Sequence, residues 1–220
     1  MSISKEQAVE LIAKRVAREL KNGDVVNLGI GIPTQVANYI GDDKDICLTS
    51  ENGIVRLGGA PEPGKEHPDI INAGGGLLSE VPGTTYTDSA TSFAIVRGGH
   101  LDVTVLGALE VDQEGNIANW IIPGKLVPGM GGAMDLCVGA KKVIASFIHC
   151  DKKGNSKILK KCRLPLTAKA AVDLIVTEMA VMQPSQKGLI LKEVASWTNL
   201  EEVQEATEAD LIIPKKVETF

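Results

Sequence analysis

The stretch that decides the fold is Val25-Val26-Asn27-Leu28-Gly29-Ile30-Gly31-Ile32-Pro33-Thr34. A short apolar run leads into two spaced glycines, and Pro33 then falls where a helix tolerates it best, in the first turn. Strand, glycine loop, helix is therefore the unit, with the helix expected over residues 34–40. Upstream, Ser4 and Gln7 make a capping box, and Ala8, Leu11, Ile12, Val16 and Leu20 recur at helical spacing until Asn22-Gly23. Downstream, residues 46–49 read as a second strand and 70–72 as a third, ended by Gly74-Gly75-Gly76. Asp88 can cap a helix running through Val96, while 103–106 and 143–148 read as buried strands. Further strands are expected at 174–177 and 189–191, and Thr198 with Glu201 caps a last helix ahead of the apolar run 211–213. Helices alternating with short apolar strands predict an α/β fold around a largely parallel sheet. No internal repeat, low-complexity tract or linker divides the chain, so residues 1–220 read as one domain, with 61–68 as an exposed loop.

Composition narrows the function. The chain has 220 residues, a formal charge of −5 and 44% hydrophobic content, which gives no global field for nucleic acid or an anionic membrane. The longest uncharged stretch, 25–41, is broken by Asn27, Pro33, Gln35 and Asn38 and cannot span a bilayer. The start of the chain has neither a secretory nor a transit pattern, so the cytoplasm is expected. Cys47, Cys137, Cys150 and Cys162 are widely spaced without a C-x-x-C, which predicts reduced core thiols. No metal is expected: His67, His100 and His149 lack ligand spacing to these cysteines, and His149 and Cys150 would point to opposite faces of a strand. Glycine is abundant, 23 residues, while aromatics are only 3%. The expectation is an aliphatic core with many tight backbone passages.

In open α/β sheets ligands sit at the carboxyl ends of strands, which makes the glycine loops suspects. Gly29-x-Gly31 imitates half of a dinucleotide fingerprint, and Glu51 falls about 20 residues on, where a ribose-binding acid is expected. The third glycine is missing, because position 34 is Thr, and Pro33 removes an N–H that a pyrophosphate would use. A second candidate is Ser50-Glu51-Asn52-Gly53, directly after the strand at 46–49. There a glutamate followed by Asn-Gly would be held at the ligand edge of the sheet, although composition alone also fits a solvated turn residue or a helix cap.

Ser50-Glu51-Asn52-Gly53 resembles the catalytic signature of the class I coenzyme A transferases, specifically their β subunit or the corresponding half of a fused chain. Further blocks follow in the family's order: Asn27 to Thr34, Ile71-Asn72-Ala73-Gly74, Arg97-Gly98-Gly99-His100 and Gly115-Asn116-Ile117-Ala118-Asn119-Trp120. Ile122-Pro123-Gly124-Lys125, Gly129-Met130-Gly131-Gly132-Ala133-Met134-Asp135 and Lys161-Cys162-Arg163-Leu164-Pro165-Leu166-Thr167 complete them. The likeness covers essentially the whole chain and is strongest to short-chain 3-oxoacid and acetate/butyrate-acetoacetate transferases of bacterial type.

The resemblance implies an open three-layer α/β/α domain and a catalytic Glu51 that attacks the acyl-CoA carbonyl. An acyl-glutamyl anhydride and then a glutamyl-CoA thioester would follow, with coenzyme A as substrate and covalent intermediate and no tightly bound cofactor. The chemistry is self-consistent, since a glutamate carboxylate with a reference pKa of ~4.3 is ionised at neutral pH and needs no partner base. The resemblance gives Gly132 the role of backbone oxyanion donor; a tight turn is the alternative use of that glycine. Gly29, Gly31, Asn52, Gly74, Gly75 and Gly131 are placed around the coenzyme. Some relatives have a lysine where this chain has Gly75, which leaves Lys125 and Arg97 as candidate cations for the coenzyme phosphates. An α subunit of similar fold is the implied partner, as an αβ pair or its dimer. The rival readings are a nucleotide-dependent oxidoreductase, a metabolite-binding module that needs no Glu51, and an acyl-CoA hydrolase.

Overall fold

A computed structural model describes residues 3–41, 43–125 and 129–220. The first third of the chain runs α1 (Lys5–Ala17), β1 (Val25–Leu28), a 3-10 helix (Ile32–Tyr39), β2 (Cys47–Ser50), β3 (Ile54–Leu57) and β4 (Glu80–Tyr86). The middle holds α2 (Ser89–Arg97), β5 (Leu101–Leu106), β6 (Glu110–Asp112), β7 (Ile117–Ala118), α3 (Ala133–Gly139), β8 (Ala140–Ser146) and β9 (Ile158–Leu159). The chain closes with β10 (Leu174–Val176), β11 (Ala180–Ser185), β12 (Gly188–Val194), α4 (Leu200–Ala206), β13 (Leu211–Ile212) and β14 (Glu218–Thr219).

The main sheet has the order β13-β12-β11-β10-β8-β5-β1-β2-β3-β4, with β14 also on β12, while β7-β6-β9 form a small second sheet. Its central strands, β2, β1, β5, β8 and β10, are all parallel, so their carboxyl ends share one edge. Side chains alternate between two apolar layers. Val143 and Ala145 face one cluster with Val96 of α2, Leu136 of α3 and Val203 of α4, whereas Ile144 between them faces the other, with Ile12 and Val16 of α1 and Val36 of the 3-10 helix. Covering both faces is what makes these strands read as nearly continuous apolar runs. Three layers, helices on each side of a mostly parallel sheet, follow directly.

Local chemistry explains the element ends. The Ser4–Gln7 box closes as expected, with the Ser4 N–H donating to Gln7 Oε1 at 2.8 Å and the Gln7 N–H to Ser4 Oγ at 3.2 Å. Asp88 caps α2 through the Thr91 N–H at 2.7 Å. A clamp then ties α1 across the sheet: Arg15 donates from Nε to Glu193 Oε2 at 2.7 Å and from Nη1 to Glu19 Oε1 at 2.8 Å. Glu19 also receives Lys142 Nζ, so although burial pushes its carboxyl up, the bonds from Lys142 and Arg15 win and hold it below its ordinary value.

Several expectations are corrected. Residues 70–72 are not a strand: Asn72 Oδ1 accepts the N–H groups of both Gly74 and Gly76 at 2.9 Å, closing the backbone into a turn with only an Ile71–Leu77 bridge. The helix expected at 34–40 is a 3-10 helix, and α1 ends at Ala17, short of Asn22-Gly23. Asn199, not Thr198, caps α4, through the Glu202 N–H at 2.9 Å. His149 and Cys150 lie beyond the end of β8 rather than within a strand. All four cysteines are free, but only Cys137 is fully buried, and its thiol is pushed up to about 12 by that burial. Residues 62–69 are exposed, as the loop reading expects. Among the described residues no helix is long and apolar enough to cross a membrane.

Candidate active site

β1 and β2 pair in parallel with Asn27 opposite Thr49, so both strands deliver their carboxyl ends to the same edge. β2 then turns back antiparallel into β3, with Ser50 opposite Ile54, and Glu51 occupies the tip of that hairpin. The turn works only with glycine after Asn52. Gly53 has φ +116, and a Cβ there would stand 2.1 Å from the Thr87 carbonyl oxygen, where no side chain fits. The Ile71–Ala73 loop is tied to the same tip: Asn52 Nδ2 donates to the Ile71 carbonyl at 2.8 Å, and the Ala73 N–H donates to Ser50 Oγ at 2.9 Å. Asn52 thus spends its amide on a neighbouring loop rather than on its own turn.

Glu51 is half-buried, and its Oε2 accepts one hydrogen bond, from Asn27 Nδ2 at 3.0 Å. Asn27 is 1% exposed, and its Oδ1 is buried without a partner among the described residues. Among those residues Glu51 makes no ion pair. On its other flank stands Gly132, at the start of α3: a Cβ at Gly132 would lie 3.3 Å from Glu51 Cγ and 3.0 Å from two ring carbons of Phe93. The strand-end glutamate and the Gly129–Asp135 block, some 80 residues apart in sequence, therefore meet in space.

A cavity of about 150 Å³ opens beside the carboxylate, lined by Gly29, Gly31, Glu51, Gly74 and Gly76 among others. A second, leucine-rich cavity of about 210 Å³ adjoins it, sharing Leu28, Thr34, Ser50 and Asn72. The glycines divide into two groups by what their amides do. The N–H of Gly29 donates to Val105 O, that of Gly74 to Asn72 Oδ1 and that of Gly75 to Asn72 O, so these three shape the walls and have no donor to spare. Among the described residues the N–H groups of Gly31, Gly131 and Gly132 meet no protein acceptor. Gly75 sits in the turn between two lining residues. Arg97 is engaged, donating to Asp135 at 2.7 Å, and Lys125 is exposed.

Asn27 and Phe93 are the residues that sequence reasoning missed. A signal existed for Asn27, because an amide within a strand whose neighbours Val26 and Leu28 are apolar has to answer to a buried polar partner. None existed for Phe93, since an aromatic on a capped helix reads as ordinary packing.

A parallel sheet that presents a half-buried carboxylate on a cavity at its carboxyl edge, with no cation on it among the described residues and the Gly132 backbone against its side chain, suits acyl-transfer chemistry on a glutamate. Residues 9–206 match the coenzyme A transferase family, and the chain belongs to it. It is 56% identical over 206 residues to the beta subunit of the acetate CoA-transferase of Haemophilus influenzae, covering 94% of this chain and 92% of that one. It is 49% identical over 201 residues to a succinyl-CoA:3-ketoacid coenzyme A transferase subunit of Helicobacter pylori, covering 91% and 97%. Its fold matches an acyl-CoA transferase apoenzyme from Escherichia coli O157:H7 with a TM-score of 0.78 at 24% identity, over all of this chain and 44% of that longer one.

Proposed function

We propose that this chain is the glutamate-bearing β subunit of a transferase that moves coenzyme A between a short-chain acyl-CoA and a carboxylic acid such as acetate, acetoacetate, butyrate or succinate. It works with an α subunit, and the covalent intermediate is a glutamyl-CoA thioester on Glu51. The observation that carries the reading is the position of Glu51: at the carboxyl edge of the sheet, on a cavity, oriented by a neutral amide and free of any ion pair among the described residues. A carboxylate neutralised by a cation would be a poorer nucleophile.

In the first step a Glu51 carboxylate oxygen bonds to the acyl carbonyl carbon, the C–S bond breaks, and the electrons leave with the CoA thiolate. That thiolate then attacks the glutamyl carbonyl carbon of the resulting anhydride. The acyl group departs as its carboxylate, which leaves the thioester, and the acceptor acid runs the two steps in reverse. Each tetrahedral oxyanion needs a preorganised donor, and the N–H of Gly132, next to Glu51 and without an acceptor among the described residues, is the one assigned to it. The walls made by Gly29, Gly31 and Gly74 would bring backbone close to the coenzyme, and Gly75, Gly131 and Asn52 are assigned to the same coenzyme site.

The test is to mix the two subunits with acetoacetyl-CoA in the absence of acceptor acid and look by mass spectrometry for CoA on the peptide containing Glu51. The expected adduct is absent in Glu51→Ala, whose fold is retained. Full transferase activity in Glu51→Ala, or an adduct on another peptide, overturns the reading.

A further inference from the structure

The loop that carries the oxyanion donor is poorly suited to hold a donor still. Gly129, Gly131 and Gly132 occupy three of four successive positions, with φ +95 at Gly129 and +53 at Gly131. A glycine backbone surrenders the most conformational entropy when fixed, yet an oxyanion donor is useful only if fixed before the charge develops. The first turn of α3 holds the carbonyl side of Gly132, which accepts the Leu136 N–H at 2.9 Å, and the side facing Glu51 needs a hold from outside the loop.

Phe93 meets that need. Two of its ring carbons, Cε1 and Cζ, stand 3.0 Å from where a Cβ on Gly132 would lie, and Glu51 Cγ stands 3.3 Å from the same point. The Gly132 backbone thus sits in a slot with the phenyl ring on one wall and the Glu51 side chain on another. The ring is itself anchored. α2 begins at the Asp88 cap and is fastened to α3 at two further heights: Arg97 pairs with Asp135, and Gly139 lies so near Val96 that a Cβ there would be 2.3 Å from the Val96 carbonyl oxygen. Only two torsions position a phenyl ring, so it transmits that anchoring better than a longer aliphatic chain would.

We propose that Phe93 is a positioning residue for the transferase reaction: its ring sets the distance between the Gly132 N–H and Glu51 and keeps the glycine loop in register for oxyanion stabilisation. The proposal rests on the reading of Glu51 as nucleophile and Gly132 as donor. In this role Phe93 acts through Gly132 rather than on the substrate, so its signature is a loss of turnover without a loss of binding.

The assembled two-subunit enzyme is assayed with acetoacetyl-CoA for kcat, KM and the single-turnover rate of thioester formation, with Glu51→Ala run alongside. In Phe93→Ala, kcat and the thioester rate are expected to fall together by about 10- to 100-fold, a part of the roughly 10²- to 10³-fold that one oxyanion donor supplies, while KM stays within about twofold. Gly132→Ala pushes a methyl against the same ring and is also expected to be slow, but Phe93→Ala/Gly132→Ala should be no slower than Gly132→Ala alone, because the colliding ring is gone. If Phe93→Ala disturbs assembly, Phe93→Leu keeps an apolar contact while withdrawing the ring edge, and the same split is read there. A Phe93 variant with wild-type kcat, a change confined to KM, or penalties that simply multiply in the double variant overturns the proposal while Glu51→Ala remains inactive. An active Glu51→Ala overturns the underlying site instead.

Discussion

Glu51 and Glu193 are both glutamates at the sheet, and their surroundings are opposite. Glu193 is gripped by the fork of Arg15, whose own charge is favoured by Glu193 and Glu19 against the cost of burial. Glu51 receives a single bond from a neutral amide and, among the described residues, no cation. A carboxylate that fastens a helix is worth most when its charge is fully matched, whereas under the proposed function Glu51 has to keep its electrons available for a carbonyl. On that reading the same residue type serves architecture in one place and chemistry in the other, and the hydrogen-bond partners separate them.

The difference can be broken from the architectural side. Arg15→Ala leaves Glu193 half-buried without its cation and Glu19 with Lys142 alone, and is expected to cost about 3 kcal/mol of stability in urea unfolding, with turnover per folded molecule unchanged. A loss under about 1 kcal/mol would show that the clamp is only a surface contact. A buried group outside both sites gives the next largest effect. His149 is wholly buried, bonded through Nδ1 to Thr177 Oγ1 and through Nε2 to Thr207 Oγ1, and burial lowers its pKa from 6.5 to about 4. The unfolded chain therefore takes up a proton near pH 6.5 that the folded chain refuses until about pH 4. Its contribution is intact above pH 6.5 and is lost as pH falls, about 2 kcal/mol between pH 7 and 5. Unfolding free energies at the two pH values should differ by less in His149→Gln than in the parent, and an unchanged pH slope would remove His149 as its source. The smallest effect sharpens the comparison on the Glu51 side. Asn27→Ala should lower kcat by about tenfold, or about 1.4 kcal/mol, with KM little changed, as expected if the amide orients the nucleophile rather than binding the substrate. Equal loss in kcat and gain in KM would assign Asn27 to substrate contact.

The central strands were legible in the sequence because burial on both faces leaves short, mostly apolar runs, as at β1, β5, β8 and β10. Both helix caps at Ser4 and Asp88 were equally plain. β4 and β11 escaped because each contains a proline, Pro82 and Pro184, which argues against a strand unless pairing is already known. Residues 70–72 misled because apolar content says nothing of a side chain, Asn72, that bonds its own turn. At the site, Glu51 stood out as a charge at a strand end. The approach of Gly132 to Glu51 did not, since it depends on how α2 and α3 pack, and no local pattern encodes a distance between blocks 80 residues apart.

The outermost strand on the Glu51 side has a consequence for the protein at high concentration. β4 is exposed along almost its whole length, the situation in which a sheet recruits a strand from another molecule. Two positions in its middle offer no donor. Pro82 has none, the Val81 N–H is turned inward to Thr84 Oγ1 at 2.9 Å, and Thr84 in turn bonds Arg56 O at 2.7 Å. The opposite margin, β13, is two residues long. The sheet's longer margin is thus interrupted against edge-to-edge pairing, and replacing Pro82 would restore a donor there.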